Sequence, residues 1–289
     1  MLRPLTSIVA RLPWRVIYFI SGGLALLLRL VYRPKVVDRN LQLAFPSLPV
    51  SARGEIRREF YKNFADVSFE IVKSVKISDD AFRERILIEE NDALEELRRH
   101  NAPFLLYASH YCNWEWIAAA FALSIAPSDI LYKPLSNASV DRWVYANRSR
   151  YGNRLFPVDQ VGSVIRNLEG FRALGIIADQ APKKSNRGKV WTDFLGVPTP
   201  FFRGVFALSY LTQWPAYYTS LERRNRGHYT LRVEKIGAPP YEKTDRQVLQ
   251  GYIKHLQAQL ATNPAHWLWT HNRWKYDRQD NEELVIFQD

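Results

Sequence analysis

Ala102-Pro103-Phe104-Leu105-Leu106-Tyr107-Ala108-Ser109-His110-Tyr111-Cys112-Asn113-Trp114-Glu115-Trp116 is the stretch on which the fold turns. The apolar run after Pro103 predicts a short buried strand, the polar residues after it a tight turn, and the residues from Trp114 the start of a helix. His110 then stands at a strand exit and Glu115 in a helix's first turn. Open α/β sheets keep their ligand crevices at the carboxyl ends of strands, which makes this turn the first candidate site.

Working outward, strand and helix patterns alternate on both sides. Upstream, residues 37–76 read as helical: one segment ends at Pro46, and another opens at Ser51 with Ile56, Phe60, Phe64, Val67, Ile71 and Val75 along one face. Arg53, Arg57, Arg58, Lys62, Lys73 and Lys76 are its expected solvated side. Ile86-Leu87-Ile88 is strand-like and Asn91 to His100 an acidic helix. Downstream come a strand at Ile130–Lys133, a helix at Val140–Arg150, a strand at Leu155–Val158, a helix at Val161–Leu174 and a strand at Gly175–Asp179. Past the basic loop Gln180 to Lys189 lie a hairpin within Trp191–Phe202, an apolar helix Arg203–Gln213 and an antiparallel pair, Ala216–Leu221 with Tyr229–Val233. A helix at Gln247–Ala261 and an aromatic tail from His266 to Trp274 complete the chain's pattern. Alternation at βαβ crossover lengths predicts an α/β fold with a mixed, partly parallel sheet flanked by helices.

The chain has 289 residues, 47% of them hydrophobic, enough for one large core. Of the formal charge of +11, residues 1–39 hold +6, from Arg3, Arg11, Arg15, Arg29, Arg33, Lys35 and Arg39 against Asp38. These charges flank an apolar run from Val16 to Tyr32, interrupted only by Arg29. As a helix it reaches roughly 25 Å, slightly short of a hydrocarbon core, so a single tilted or interfacial anchor helix is expected. A hydrophobic helix packed on the protein itself is the plainer alternative. Interruption by Arg29 and the lack of a small-residue cleavage site argue against a secretory signal. The flanking charges favour a cytoplasmic body only weakly. The expected division is an anchor over 1–36 and a single domain over 37–289, with no repeat or flexible linker. No zinc-ligand set, helix-turn-helix signature or RNA-binding motif accompanies the basic charge, so an anionic membrane or acidic partner fits it better than nucleic acid. The lone Cys112 rules out an internal disulfide framework.

Across a strand-to-helix turn His110 and Glu115 can meet. A neutral imidazole accepts a proton at one nitrogen while donating from the other to a carboxylate, which suits the pair to deprotonating a hydroxyl. A capping or core histidine would show the same local pattern. As zinc ligands the two lack a third partner, since His100, His228, His255, His266 and His271 are scattered. Cys112 as a nucleophile is too close in sequence to its base for good geometry.

Ser109-His110-Tyr111-Cys112-Asn113-Trp114-Glu115-Trp116 resembles the His-x4-Asp/Glu block of the glycerolipid acyltransferase superfamily. In its His-x-x-Asn-Trp-Glu form it is similar to the late lipid A biosynthesis lauroyl/myristoyl acyltransferases. Further blocks follow in the same order: Leu131 to Asn137 including Lys133, with Asp141 and Arg148-Ser149-Arg150; Ile177 to Gln180; Phe194 to Phe202; and Trp267 to Lys275. The resemblance extends over about the whole chain. It implies a membrane-associated enzyme, on the cytoplasmic side of the inner membrane, that moves a fatty acyl chain from an acyl carrier protein thioester to a hydroxyl of a lipid A precursor. Another lipid acceptor, such as a lysophospholipid, glycolipid or aminolipid, with acyl-CoA as donor, is the alternative. It also implies His110 as general base with Glu115 as its orienter, no acyl-enzyme, no metal and no cofactor beyond the thioester co-substrate. Arg148 and Arg150 are candidates for an oxyanion or a phosphate, and they cannot both face inward from a helix. Asp179 is expected to position an arginine or an acceptor hydroxyl, and Gln180, Asn113 and Lys133 are further candidates for substrate binding. Lys183, Lys184, Arg187 and Lys189 form an expected basic rim, for an acceptor phosphate, the phosphopantetheine arm or an acidic carrier. Phe202, with Phe201, Phe194 and Trp116, offers apolar surface for the acyl chain. Gln180 departs from a pattern in which histidine often follows the aspartate.

Overall fold

The computed structural model describes residues 6, 8–185 and 188–287. The apolar runs become strands β1 (Ile86–Ile88), β2 (Phe104–Ala108), β3 (Ser128–Tyr132), β4 (Arg154–Pro157), β5 (Ala173–Ile177), β6 (Lys189–Phe194), β7 (Val197–Phe202), β8 (Ala216–Asn225), β9 (His228–Gly237) and β10 (Leu284–Val285). Seven of them form one sheet in the order β1-β9-β8-β2-β5-β3-β4. Every neighbouring pair in it is parallel except the β8–β9 hairpin. The fold is therefore α/β with a mixed, mostly parallel sheet. All five residues of β2 are buried, as an unbroken apolar run at the centre of a parallel sheet requires. The antiparallel β6–β7 pair, extended by β10, makes a small separate sheet.

The helices are α1 (Trp14–Val31), α2 (Pro34–Ala44), α3 (Val50–Ser74), α4 (Asp79–Arg83), α5 (Asp92–His100), α6 (Trp114–Ser124), α7 (Ala138–Arg148), α8 (Val161–Asn167), α9 (Arg203–Phe206), α10 (Leu208–Thr212) and α11 (Gln247–Thr262). The helix expected over 161–174 stops at Asn167, because Gly170 turns the chain at φ +68° and Ala173 already belongs to β5. The helix expected over 203–213 is two short ones, α9 and α10. The β8–β9 hairpin runs well past the expected pair. The turn end of β8, from Glu222 to Asn225, is polar, and buried acids on α3 hold it beside the buried Tyr229 and Leu231 of β9.

Arg223 Nη2 lies 3.1 Å from both Asp66 Oδ2 and Glu70 Oε1, and Arg226 Nε donates to Asp66 Oδ2 at 2.8 Å. The Tyr229 hydroxyl also donates to Glu70, and Asn113 Nδ2 donates to it at 2.9 Å. Buried charges persist only when paired in this way. Arg58 and Lys62 of α3 are solvated as expected, whereas Arg57 and Lys73 reach across to the backbone of α1 and the residues before it. α1 is the one helix among the described residues long and apolar enough to cross a membrane, and one face of it packs on α3 through Ile17, Ser21 and Ala25.

Candidate active site

β2 and β5 lie side by side in parallel, with Ala108 opposite Ile177. His110 and Asp179 each come two residues later, so the register carries both to one height at the sheet's carboxyl edge. His110 Nδ1 lies 2.7 Å from Asp179 Oδ1. A carboxylate only accepts, so Nδ1 carries the proton, and in the neutral ring Nε2 keeps a lone pair. Gln180 Nε2 faces that nitrogen at 3.4 Å.

The second Asp179 oxygen accepts the indole N–H of Trp267 at 2.8 Å. Trp267 is brought there by an antiparallel bridge to Tyr111, flanked by Cys112 N–H to His266 O at 2.7 Å and Leu268 N–H to His110 O at 3.0 Å. Burial alone would push the Asp179 carboxyl up. The His110 ring and the hydrogen bonds from His110 and Trp267 outweigh it and hold the carboxyl below its ordinary range. Asp179 is thus an ionised acceptor, 3% exposed, against a histidine side chain that is 18% exposed and reachable from solvent.

The expected hydrogen bond between His110 and Glu115 is not made. Cys112 turns the chain at φ +53° and α6 leaves in another direction, with the Trp114 ring set edge-on to His110 at 5.4 Å. Glu115 instead takes a two-pronged contact from Arg148 at the end of α7, through Nη2 and through Nε at 2.8 Å, and a third hydrogen bond from the Trp114 indole at 3.1 Å. Burial raises the Glu115 pKa, but the Arg148 charge and hydrogen bond bring it below its ordinary value, with the His110 ring contributing. Arg148 is held charged in turn. Asp179, expected to position an arginine or a hydroxyl, is the residue that orients the imidazole, while Glu115 holds the arginine.

The other expected site residues divide. Gln180 joins His110. Arg150 lies past the end of α7, in the turn that follows it, and its Nη1 donates to Ser74 O at 2.5 Å at the end of α3. Asn113 points into the buried Glu70 cluster instead of the crevice. Lys133 is exposed after β3, which is separated from β2 by β5. Phe202 is half-buried at the end of β7, while Phe201, Phe194 and Trp116 are fully packed in the core. Cys112 is buried and its thiol is pushed up to about 12 by burial, so it stays neutral and unreactive. In the basic rim, Lys189 pairs with Glu282 at 2.7 Å, Lys183 and Lys184 are exposed, and Arg187 lies outside the described residues. Lys184 and Lys189, with Arg203 and Arg246, line an open cleft of about 520 Å³ together with Glu282 and Glu283.

Sequence reasoning assigned no site role to Trp267 or His271. The His271 Nε2 accepts the Ala181 N–H at 3.0 Å, fixing the loop just past Asp179. The available signal was chemical: a buried indole needs an acceptor, and Asp179 is a strand-end acid with no basic partner beside it in sequence.

Residues 4–276 match the model of the bacterial lipid A biosynthesis acyltransferase family. The chain belongs to this family. A comparison with curated proteins returns no match. Membership extends from the N-terminal helix to the aromatic tail, so all of the elements that build the His110–Asp179 site belong to the lipid A acyltransferase unit.

Proposed function

We propose that the protein transfers a fatty acyl chain from an acyl carrier protein thioester to a hydroxyl of a lipid A precursor, with His110 as general base. The observation that carries this reading is the His110–Asp179 pair, which engages Nδ1 and leaves Nε2 as the ring's outward nitrogen at an accessible sheet edge. The 3.4 Å contact from Gln180 is long and readily yields to an incoming hydroxyl. As the hydroxyl oxygen attacks the thioester carbonyl carbon, Nε2 takes its proton and the carbonyl oxygen becomes an oxyanion. Collapse reforms the carbonyl and breaks the C–S bond, and the departing sulfur takes the proton back from Nε2. An ester and a free thiol result, with no acyl-enzyme and no resident cofactor.

Asp179 stabilises the imidazolium formed midway, and Trp267 keeps the carboxylate from rotating away. Glu115 and Arg148 are assigned a holding role, locking the start of α6 to the end of α7 beside the base. Lys184, Arg203 and Arg246, on an open cleft they share with Glu282 and Glu283, are the basic groups that would meet an acidic carrier protein.

The test is turnover by the full-length protein with a lipid A precursor and either acyl carrier protein or acyl-CoA as donor, read by mass spectrometry as the gain of one acyl chain. Wild type is expected to turn over with the carrier thioester, and His110→Ala to lose turnover while keeping its melting temperature. Retained turnover in His110→Ala refutes the base assignment. Lipid profiles of cells with and without the gene identify the acceptor, and a loss confined to phospholipids would replace lipid A by the alternative acceptor.

A further inference from the structure

We propose that α1 binds the bilayer lengthwise, lying in the plane of an anionic membrane surface with its outer face among the acyl chains, and does not cross it. The inference is independent of the chemistry at His110. α1 runs antiparallel to α3 over its whole length. At one end Arg57 Nη2 donates to Arg29 O at 3.0 Å. In the middle Ser21 donates to Asp66, and the Tyr18 hydroxyl to Glu70 Oε1 at 3.0 Å. Just before the helix, Lys73 Nζ reaches Leu12 O at 2.6 Å and Ala10 O at 2.9 Å. Guanidinium groups cover its aromatic rings, Arg85 over Trp14 at 3.8 Å and Arg226 over Tyr18 at 5.1 Å.

The docked face therefore combines the apolar Ile17 and Ala25 with Ser21 and Tyr18, whose hydrogen-bond partners are buried charges. If α1 stood across the bilayer, it would either carry Arg57, Arg58, Lys62, Asp66, Glu70 and Lys73 of α3 to membrane depth or peel away and take from the buried Asp66 and Glu70 the donors Ser21 and Tyr18. Both are unfavourable, because charges at bilayer depth are costly and buried acids need every donor they have.

The opposite face has the character of a lipid-facing surface. Phe19, Leu26, Leu30 and Val31 are 84, 67, 71 and 66% exposed, and the first three recur at helical spacings on one side. Arg11, Arg15, Arg29, Arg33 and Lys35 are all exposed and bracket this stripe at both ends. An apolar stripe with cations at its ends, presented by a helix fixed flat on a folded body, matches the interfacial mode of membrane binding.

Two experiments on the full-length protein decide it. Arg11→Cys and Lys35→Cys are made singly and reacted with a membrane-impermeant maleimide in spheroplasts and in inverted membrane vesicles; the buried Cys112 contributes no background. In-plane binding predicts that both positions label from the same side. Labelling from opposite sides overturns the proposal. In the second, Leu26→Arg/Leu30→Arg is compared with wild type for sedimentation with vesicles containing about 30% phosphatidylglycerol. Binding is expected to fall at least about tenfold with the melting temperature unchanged, since these side chains touch lipid and not the protein. Undiminished binding overturns it.

Discussion

Asp179→Asn keeps the side chain's volume and an acceptor for the Trp267 indole while removing the charge that supports a protonated His110. We expect kcat to fall by about 10²–10⁴ with only a modest loss of melting temperature, measured by steady-state turnover beside thermal unfolding. Glu115→Gln is expected to behave in the opposite way. It leaves the mostly buried Arg148 facing a neutral group, which costs about 3 kcal/mol and lowers the melting temperature by roughly 5–10 °C. Glu115→Gln with unchanged stability but collapsed kcat would return the orienting role to Glu115. The two variants separate because one carboxylate faces the imidazole assigned as the base and the other the Arg148 guanidinium. That division was not legible in the sequence. His110 and Glu115 share a turn, which made their pairing look local, whereas His110 and Asp179 are 69 residues apart and meet only through strand register.

At the scale of elements, apolar runs and turns located most strands, and the parallel character followed from their alternation with helices. What the pattern lacks is strand order. Nothing in Ala173–Ile177 announces that β5 returns to lie between β2 and β3, yet that placement creates the site. The turn end of β8, past Leu221, was missed for a different reason: Arg223 there is stabilised by acids on α3, as is Arg226 in the turn. Close helix–strand contact sets a further constraint at Gly251 on α11, where a Cβ would stand 2.8 Å from Ile236 Cβ and 3.1 Å from Ile236 O. Alanine gains about 1 kcal/mol in helix propensity there, but overpacking against a rigid strand costs about 1–3 kcal/mol. Gly251→Ala is thus expected to lower the denaturation midpoint, and a raised midpoint in a chemical melt would show that β9 can yield. The same substitution at the open, helical Gly54, which has nothing within 4 Å, should be stabilising.

For the whole molecule, the segment after α11 is as much a part of the site as the central strands. Trp267 and His271 grip the loop after β5, and α2 grips that segment in turn, with Asn40 Nδ2 donating to Trp269 O at 2.9 Å and His271 O at 2.8 Å. This couples the site's integrity to pH. Burial holds His266 and His271 down at about 4, against an ordinary 6.5, so the folded state keeps both rings neutral where the unfolded chain would protonate them. Between pH 6.5 and about 4 the unfolded state binds more protons, and stability must fall as pH falls. The depressed carboxyls of Asp179 and Glu115 act in the same direction at lower pH, because their contribution is present above the ordinary carboxylate range and is lost as pH drops through their folded values. The melting temperature is therefore expected to decline continuously from neutral pH into acid, first through the histidines and then through the carboxylates. His271→Gln retains an acceptor for the Ala181 N–H but cannot titrate, so its melting curve should be flatter than wild type between pH 6.5 and 4 and parallel to it below. Superimposable pH profiles for the two proteins would show that the ring stays hydrated in the folded state and that the aromatic segment does not close over the site.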